Sequence, residues 1–220
     1  MFWLIGGARD VLARVVGAFN AQPPLLSIEW DRAQRLQMLT DRILRPQSTR
    51  TPHIAGEAEP IDSTTYSPMT LTIRDEQFAP DFLPQHAWFV SKRLREVMQL
   101  DRRVAQYLPV KTEGSHRNAL AQDYRMMHPH AVRDALDPHR SDVEYIEQGD
   151  AVPPQVVSVK KFVWREDFVA DVPIFRDQRD QRFFATDAFA ERVLRAGITD
   201  MVFQDIFSER GQHEVVLKTL

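Results

Sequence analysis

The sequence predicts an α+β fold: a mixed or antiparallel sheet with packed helices, in which two related helix-strand units stand out. Three observations point there. Two segments repeat one order of aromatic entry, N-cap, apolar helical stripe and extended run; further strand-like runs lie around them; and 220 residues with 43% hydrophobic content suffice for a sizeable core. The chain has no cysteine, so that core rests on packing without disulfide or thiolate support.

Met1 to Ile5 are apolar, but Arg9, Asp10 and Arg14 interrupt any hydrophobic region of signal-peptide length, so the start reads as mature protein. Val11, Val15 and Phe19, with Leu12 and Val16 beside them, share one helical face that ends near Pro23. A second helix is expected from Asp31 to Leu44, capped by Asp31 and stopped by Pro46, with Leu36, Leu39 and Ile43 on one face. Residues 46 to 68 carry Pro46, Pro52, Pro60 and Pro68 among polar residues, which reads as a linker. The expected organisation is therefore an N-terminal helical and loop region over 1–66, a subdomain of its own, and an α+β domain over 67–220. Within the latter, Thr70 to Ile73 alternates like a short strand, and Asp81-Phe82-Leu83-Pro84 leads into a turn.

The first unit opens with Trp88-Phe89-Val90. Ser91 is placed to cap a helix carrying Leu94, Val97 and Met98 at i, i+3, i+4 spacing and running to about Leu100. The run Val104 to Val110 follows as a strand in which Pro109 must end or bulge the ladder. In the second unit Phe183-Phe184-Ala185 precedes Thr186 as N-cap; Phe189, Val193 and Leu194 form the stripe, and Gly197 stops the helix. The extended run Ile198 to Phe207 comes next, with Phe203 falling where Tyr107 falls in the first copy. Duplication and chance would each produce such an echo. Asp123–Met127, Val156–Trp164 and His213–Leu220 supply the remaining strand-like runs.

Four segments, in this order, resemble one known family. They are Phe89-Val90-Ser91-Lys92-Arg93-Leu94, Tyr107-Leu108-Pro109-Val110, Asp134-Ala135-Leu136-Asp137 with Ser141 four residues on, and the block from Ile174-Phe175-Arg176 through Ala196-Gly197-Ile198-Thr199 to Phe203. Over roughly residues 80 to 207 the chain is similar to the bacterial polymorphic-toxin immunity proteins of the eleventh catalogued type, formerly a family of unknown function. The resemblance implies an antidote, encoded beside a toxin that a contact-dependent apparatus such as type VI secretion delivers, which neutralises that toxin by binding. It carries over no catalytic residues, and residues 1–79 have no counterpart in it.

Charge and motif content agree with a binding protein. Against 31 acidic side chains there are 28 basic ones, a formal charge of −3, which offers no field for gripping a phosphate backbone. The longest uncharged stretch, Val15 to Ile28, falls short of a membrane span. The expectations are thus a cytoplasmic protein with neither nucleic-acid nor membrane partner, no cofactor, and no enzymatic activity. His128, His130, Asp134, Asp137 and His139 offer imidazole and carboxylate for a metal, the basis of an alternative reading as a small metal-dependent hydrolase. Pro129 and Pro138 break the ligand spacing, and a surface turn is favoured. The His53–Glu59 loop lacks a nucleophile elbow, and Gly6-Gly7 lacks the lysine and spacing of a phosphate loop.

For partner binding, the acidic side chains Glu144, Glu147 and Asp150 suit a basic toxin cleft, and Arg176 and Arg179 are the basic candidates. Arg176, Arg179 and Arg182 alternate with Asp177 and Asp180, so the default for that run is a solvated loop with cancelling charges. Any partly exposed tryptophan among Trp3, Trp30, Trp88 and Trp164 would serve as an anchor. An adaptor or chaperone that loads an effector onto secretion machinery is a third reading. Oligomeric state is open.

Overall fold

A computed structural model of the chain describes residues 2–7, 26–29, 68–74, 78–84, 88–114, 121–146, 155–179 and 182–204. The helices expected over 11–19 and 31–44, nearly all of the 46–68 linker and the strand expected at 213–220 lie outside the described residues. In chain order the strands are β1 (Phe2–Gly7), β2 (Leu26–Glu29), β3 (Met69–Ile73), β4 (Phe82–Pro84), β5 (Trp88–Val90), β6 (Ala105–Glu113), β7 (Arg125–Pro129), β8 (Val132–Arg133), β9 (Asp142–Ile146), β10 (Gln155–Lys161), β11 (Ile174–Asp177), β12 (Phe183–Thr186) and β13 (Met201–Gln204). Two helices, α1 (Lys92–Met98) and α2 (Asp187–Arg195), complete them. The class is α+β, and among the described residues no helix is long and apolar enough to cross a membrane.

Both units form as their sequences require. Ser91 Oγ accepts the Leu94 N–H at 3.0 Å and Thr186 Oγ1 accepts that of Phe189 at 3.4 Å, each satisfying a donor that the first helical turn leaves orphaned. Leu94 and Met98 on α1, and Phe189 and Val193 on α2, are buried at the same offsets from their caps. Gln99 ends α1 in the left-handed region, and Gly197 after α2 has φ of 71°.

The strand order shows how alike the units are. One sheet runs β2-β3-β6-β7-β5-β4 and the other β13-β1-β12-β11-β8. In the first, α1 joins β5 to β6 with antiparallel β7 inserted between them; in the second, α2 joins β12 to β13 with antiparallel β1 inserted. Each unit also begins with a hairpin, β4-β5 or β11-β12. Met127 pairs with Tyr107 where Ile5 pairs with Phe203, so the register sets Phe203 in the place of Tyr107, as the sequence echo has it. Even a backbone bond is shared: the Ser91 N–H donates to the Asp81 carbonyl and the Thr186 N–H to the Pro173 carbonyl, both at 2.9 Å.

Several boundaries differ from expectation. Residues 82–84 are a strand rather than the lead into a turn, with Pro84 at its end, where a missing N–H is tolerated. β7 starts at Arg125 because Asp123 sits at φ 44°, outside strand geometry. β6 continues past Pro109: its ladder with β7 ends at that proline, and from Val110 onward it pairs with parallel β3 on its other side. β10 ends at Lys161, and Trp164 makes only an isolated bridge to Leu136.

The units share one core. Phe82, Val90, Leu94 and Met98 from the first pack in a single cluster with Ile5, Ile174, Phe184, Phe189, Val193 and Phe203 from the second. Arginines clasp the two helices reciprocally. Arg93 donates to the Ala196 carbonyl at the end of α2 at 2.5 Å, and Arg192 to the Met98 carbonyl at the end of α1 at 2.7 Å, so each cation meets the negative end of the other helix.

Candidate functional site

β11 carries its period-two alternation into the site. Ile174, Phe175 and Asp177 are buried and Arg176 is half-buried, so the Asp177 carboxylate is fully enclosed. A carboxylate tolerates that only when hydrogen bonds replace its water. Asp177 Oδ2 accepts the N–H groups of Ala135 (3.0 Å) and Leu136 (2.9 Å), and Oδ1 accepts that of Arg179 (2.9 Å). The reading of 176–182 as a solvated run is corrected here, because strand alternation turns its first aspartate inward.

Around Asp177 three segments, 134–141, 163–168 and 177–179, are tied into one surface. The Asp137 N–H donates to the Val163 carbonyl (2.8 Å) and the Arg165 N–H to that of Ala135 (2.9 Å), while Ser141 Oγ accepts the Val163 N–H (2.8 Å). Beneath them Trp164 lies 5.8 Å from Phe168, 6.1 Å from Phe175 and 5.1 Å from Phe184, centroid to centroid. The Asp134–Asp137 and Ser141 motif thus builds a rigid shelf.

Opposite charges cover the shelf in pairs. Asp134 receives Arg179 and Arg165, each at 3.0 Å; Arg140 meets Glu166 at 2.6 Å; and Arg133 forks onto Asp171 at 2.7 and 2.9 Å. Exposed pairs of this kind are screened by water and add little to stability, so their effect is chiefly to hold side-chain directions. Arg165 holds the Asp167 carboxyl below the usual carboxylate range through a side-chain hydrogen bond, and Arg133 does the same for Asp171.

The candidate partner-binding residues are dispersed. Arg179 is exposed on the shelf against Asp134, and Arg176 sets its guanidinium carbon 5.9 Å from the Phe183 ring centre. Glu144 projects from the separate two-stranded ribbon of β9 and β10, 2.5 Å from the Lys160 ammonium, whose pKa the hydrogen bond raises. Glu147 and Asp150 lie outside the described residues.

The histidine–aspartate segment is divided among separate tasks. Asp134 pairs with arginines; Asp137 Oδ1 accepts the N–H groups of His139 (3.0 Å) and Arg140 (3.2 Å) to close the turn; and His130 is buried, with burial pushing its pKa down. The His128 and His130 rings lie 6.1 Å apart, and among the described residues no three His, Cys, Asp or Glu side chains are grouped to hold a metal ion. Trp88 and Trp164 are half-buried; the Trp3 side chain and Trp30 lie outside the described residues. Sequence reasoning missed Asp177, whose one signal was strand periodicity running into the charged stretch.

Of the described segments that build the two units and the shelf, those within residues 82–204 fall inside the span that matches the model of the Immunity protein family (Imm11), residues 14–208, and β1 (Phe2–Gly7) lies before it. The chain belongs to this immunity protein family. For this Imm11 member the family match reaches well upstream of residue 80, where the resemblance in the sequence began, and so takes in β2 and β3. No curated protein matches the chain.

Proposed function

We propose that the protein is an antidote that binds a cognate bacterial toxin directly and keeps it from acting. Membership of an immunity protein family over residues 14–208 is the observation that carries this reading. The rigid, paired shelf around Asp177 supports it, since a surface ordered before encounter loses little conformational entropy on docking. On this reading the toxin reaches the cell through contact-dependent delivery of the type VI kind. The antidote waits in the cytoplasm and acts stoichiometrically, without catalysis, through an interface of about 1,600 Å² in total. Glu144, Glu147 and Asp150 meet basic groups of the toxin, and Arg176 and Arg179 meet acidic ones.

The test is growth of a bacterial host expressing the neighbouring open reading frame, with and without this protein, followed by co-purification. Rescue together with a one-to-one complex at micromolar concentration is expected. Toxicity without rescue, or rescue without association, would overturn the reading.

A further inference from the structure

The chain crosses from one sheet to the other between β7 and β8, at His130 and Ala131. Backbone bonds fasten this crossover to both units. The N–H groups of His130 and Ala131 donate to the Val104 carbonyl of the first at 3.0 and 3.3 Å, and the Ala131 carbonyl accepts the Arg176 N–H of the second at 2.8 Å. Ala131 belongs to the shared core, and His130 beside it is only 8% exposed.

The two nitrogens of the His130 ring are treated differently. One is hydrogen-bonded to the Arg102 backbone, in the turn between α1 and β6. The other, Nε2, is enclosed and has no hydrogen-bond partner among the described residues. A neutral ring suits this arrangement: it donates once, to the Arg102 carbonyl, and leaves Nε2 an uncharged acceptor. Protonation places a second N–H where nothing accepts it and a full charge where water does not reach.

The ionisable side chains on the surrounding elements supply no counter-charge. The turn carries Asp101, Arg102 and Arg103; β7 carries His128, its ring centre 6.1 Å from that of His130; β8 carries Arg133; β11 carries Arg176 and Asp177; and Asp171 precedes β11. Each carboxylate among them is already engaged, Asp101 by Arg103, Asp171 by Arg133, and Asp177 by the N–H groups of the shelf. Burial therefore holds the His130 pKa below its ordinary 6.5, against the opposing pull of the Arg102 bond and the Asp101 charge.

We propose that His130 is an acid-sensitive pin for the shelf: neutral, it locks the crossover to the first unit; protonated, it releases β8 and the Asp134–Asp137 turn that follows. That turn supplies the Ala135 and Leu136 N–H groups to Asp177, so the shelf is ordered at neutral pH and loosened in acid. The device lies within the chain alone and operates with or without a toxin. The unfolded chain takes up this proton near pH 6.5 and the folded chain only below it. The stability is thus fully present above pH 6.5 and is lost as pH falls toward the folded value.

The experiment is denaturant unfolding of the full chain from about pH 7.5 to about pH 5.5, for wild type, His130→Asn and His128→Asn. The asparagine amide at 130 copies the donor to Arg102 and does not titrate. The wild-type folding constant should fall, by at most about tenfold for each pH unit below 6.5. His130→Asn should lose most of that fall and His128→Asn should keep it. Hydrogen exchange of the wild type, corrected for intrinsic rates, should show residues 131–137 losing protection in acid while α1 keeps its own. A level wild-type profile, a fall that persists in His130→Asn, or loss of protection spread evenly over the chain overturns the proposal. Should His130→Asn fail to fold, the wild-type ring decides: an imidazole that titrates by nuclear magnetic resonance at or above 6.5 overturns it equally.

Discussion

The two halves of the core are built on one plan from differently placed pieces of chain. In the first unit β4, β5, α1, β6 and β7 follow one another within residues 82–129, and the inserted strand β7 comes directly after the strand it completes. In the second, β11, β12, α2 and β13 occupy residues 174–204, while the inserted strand is β1, from the opposite end of the sequence. The same architecture is therefore closed locally on one side and over nearly the whole chain on the other. Local closure costs little loop entropy, and distant closure must be supported by the burial it achieves.

Removing the distant strand should break the comparison outright. A chain beginning at Ser67 lacks β1 and leaves β12 and β13 without the strand that joins them; cooperative thermal unfolding by circular dichroism should disappear. A cooperative transition in that truncation would instead establish residue 66 as a domain boundary.

The next largest effect falls on the buried aspartate of the second unit. Asp177→Ala strands two buried N–H groups, of Ala135 and Leu136, and the part-buried one of Arg179, and should cost about 3 kcal/mol or more in denaturant unfolding. Asp81→Ala in the first unit takes a partner from one buried hydroxyl, that of Ser91, and from the half-exposed Arg93 guanidinium, which keeps its bond to the Ala196 carbonyl, and should cost about 1–2 kcal/mol. Equal losses would mean that Asp177 is not the tie that holds its loops.

Smaller again are the caps. Ser91→Ala should cost about 1 kcal/mol and Thr186→Ala less, because the Ser91 bond is shorter, the residue is fully buried, and Asp81 loses a donor. Reversal of that order in paired melting curves would argue against the equivalence of the two caps.

The smallest difference separates Tyr107 from Phe203. Among the described residues Tyr107 Oη has no hydrogen-bond partner, and burial pushes its pKa up to about 12 from 10.0. The folded state keeps that proton while the unfolded chain releases it, so stability present below pH 10 falls as pH rises toward 12. Tyr107→Phe, which copies the second unit, should be neutral or slightly stabilising at neutral pH and should lessen the alkaline loss; Tyr124, also raised by burial, supplies the remainder. A clear destabilisation by Tyr107→Phe at neutral pH would show that its hydroxyl has a partner.

What the sequence made legible follows the same division. Each unit's aromatic entry, cap and helical stripe are local signals, so Ser91, Thr186 and the Phe203–Tyr107 correspondence were readable from spacing. β1 was not: a strand whose partners lie at Thr186 and Met201 leaves little local mark beyond apolarity, and its residues read only as an apolar stretch of mature protein. Pro84 disguised an edge strand as a turn, and Pro109 ended one ladder without ending the strand. At the shelf, Asp134, Asp137 and Ser141 were visible as a motif, but Asp177 hid among alternating charges because charge composition carries no information about which face is enclosed.

The placement of β1 also sets a clock. Phe2 pairs with Thr186, so β1 must wait while about 180 further residues emerge, roughly ten to forty seconds at ordinary ribosomal speeds of 5–20 residues per second. The first unit has all its strands by residue 129 and can assemble during synthesis; the second cannot close until β13, residues 201–204, is out. On the antidote reading proposed above, molecules finished beforehand act sooner than one begun on demand, by the time of its own translation.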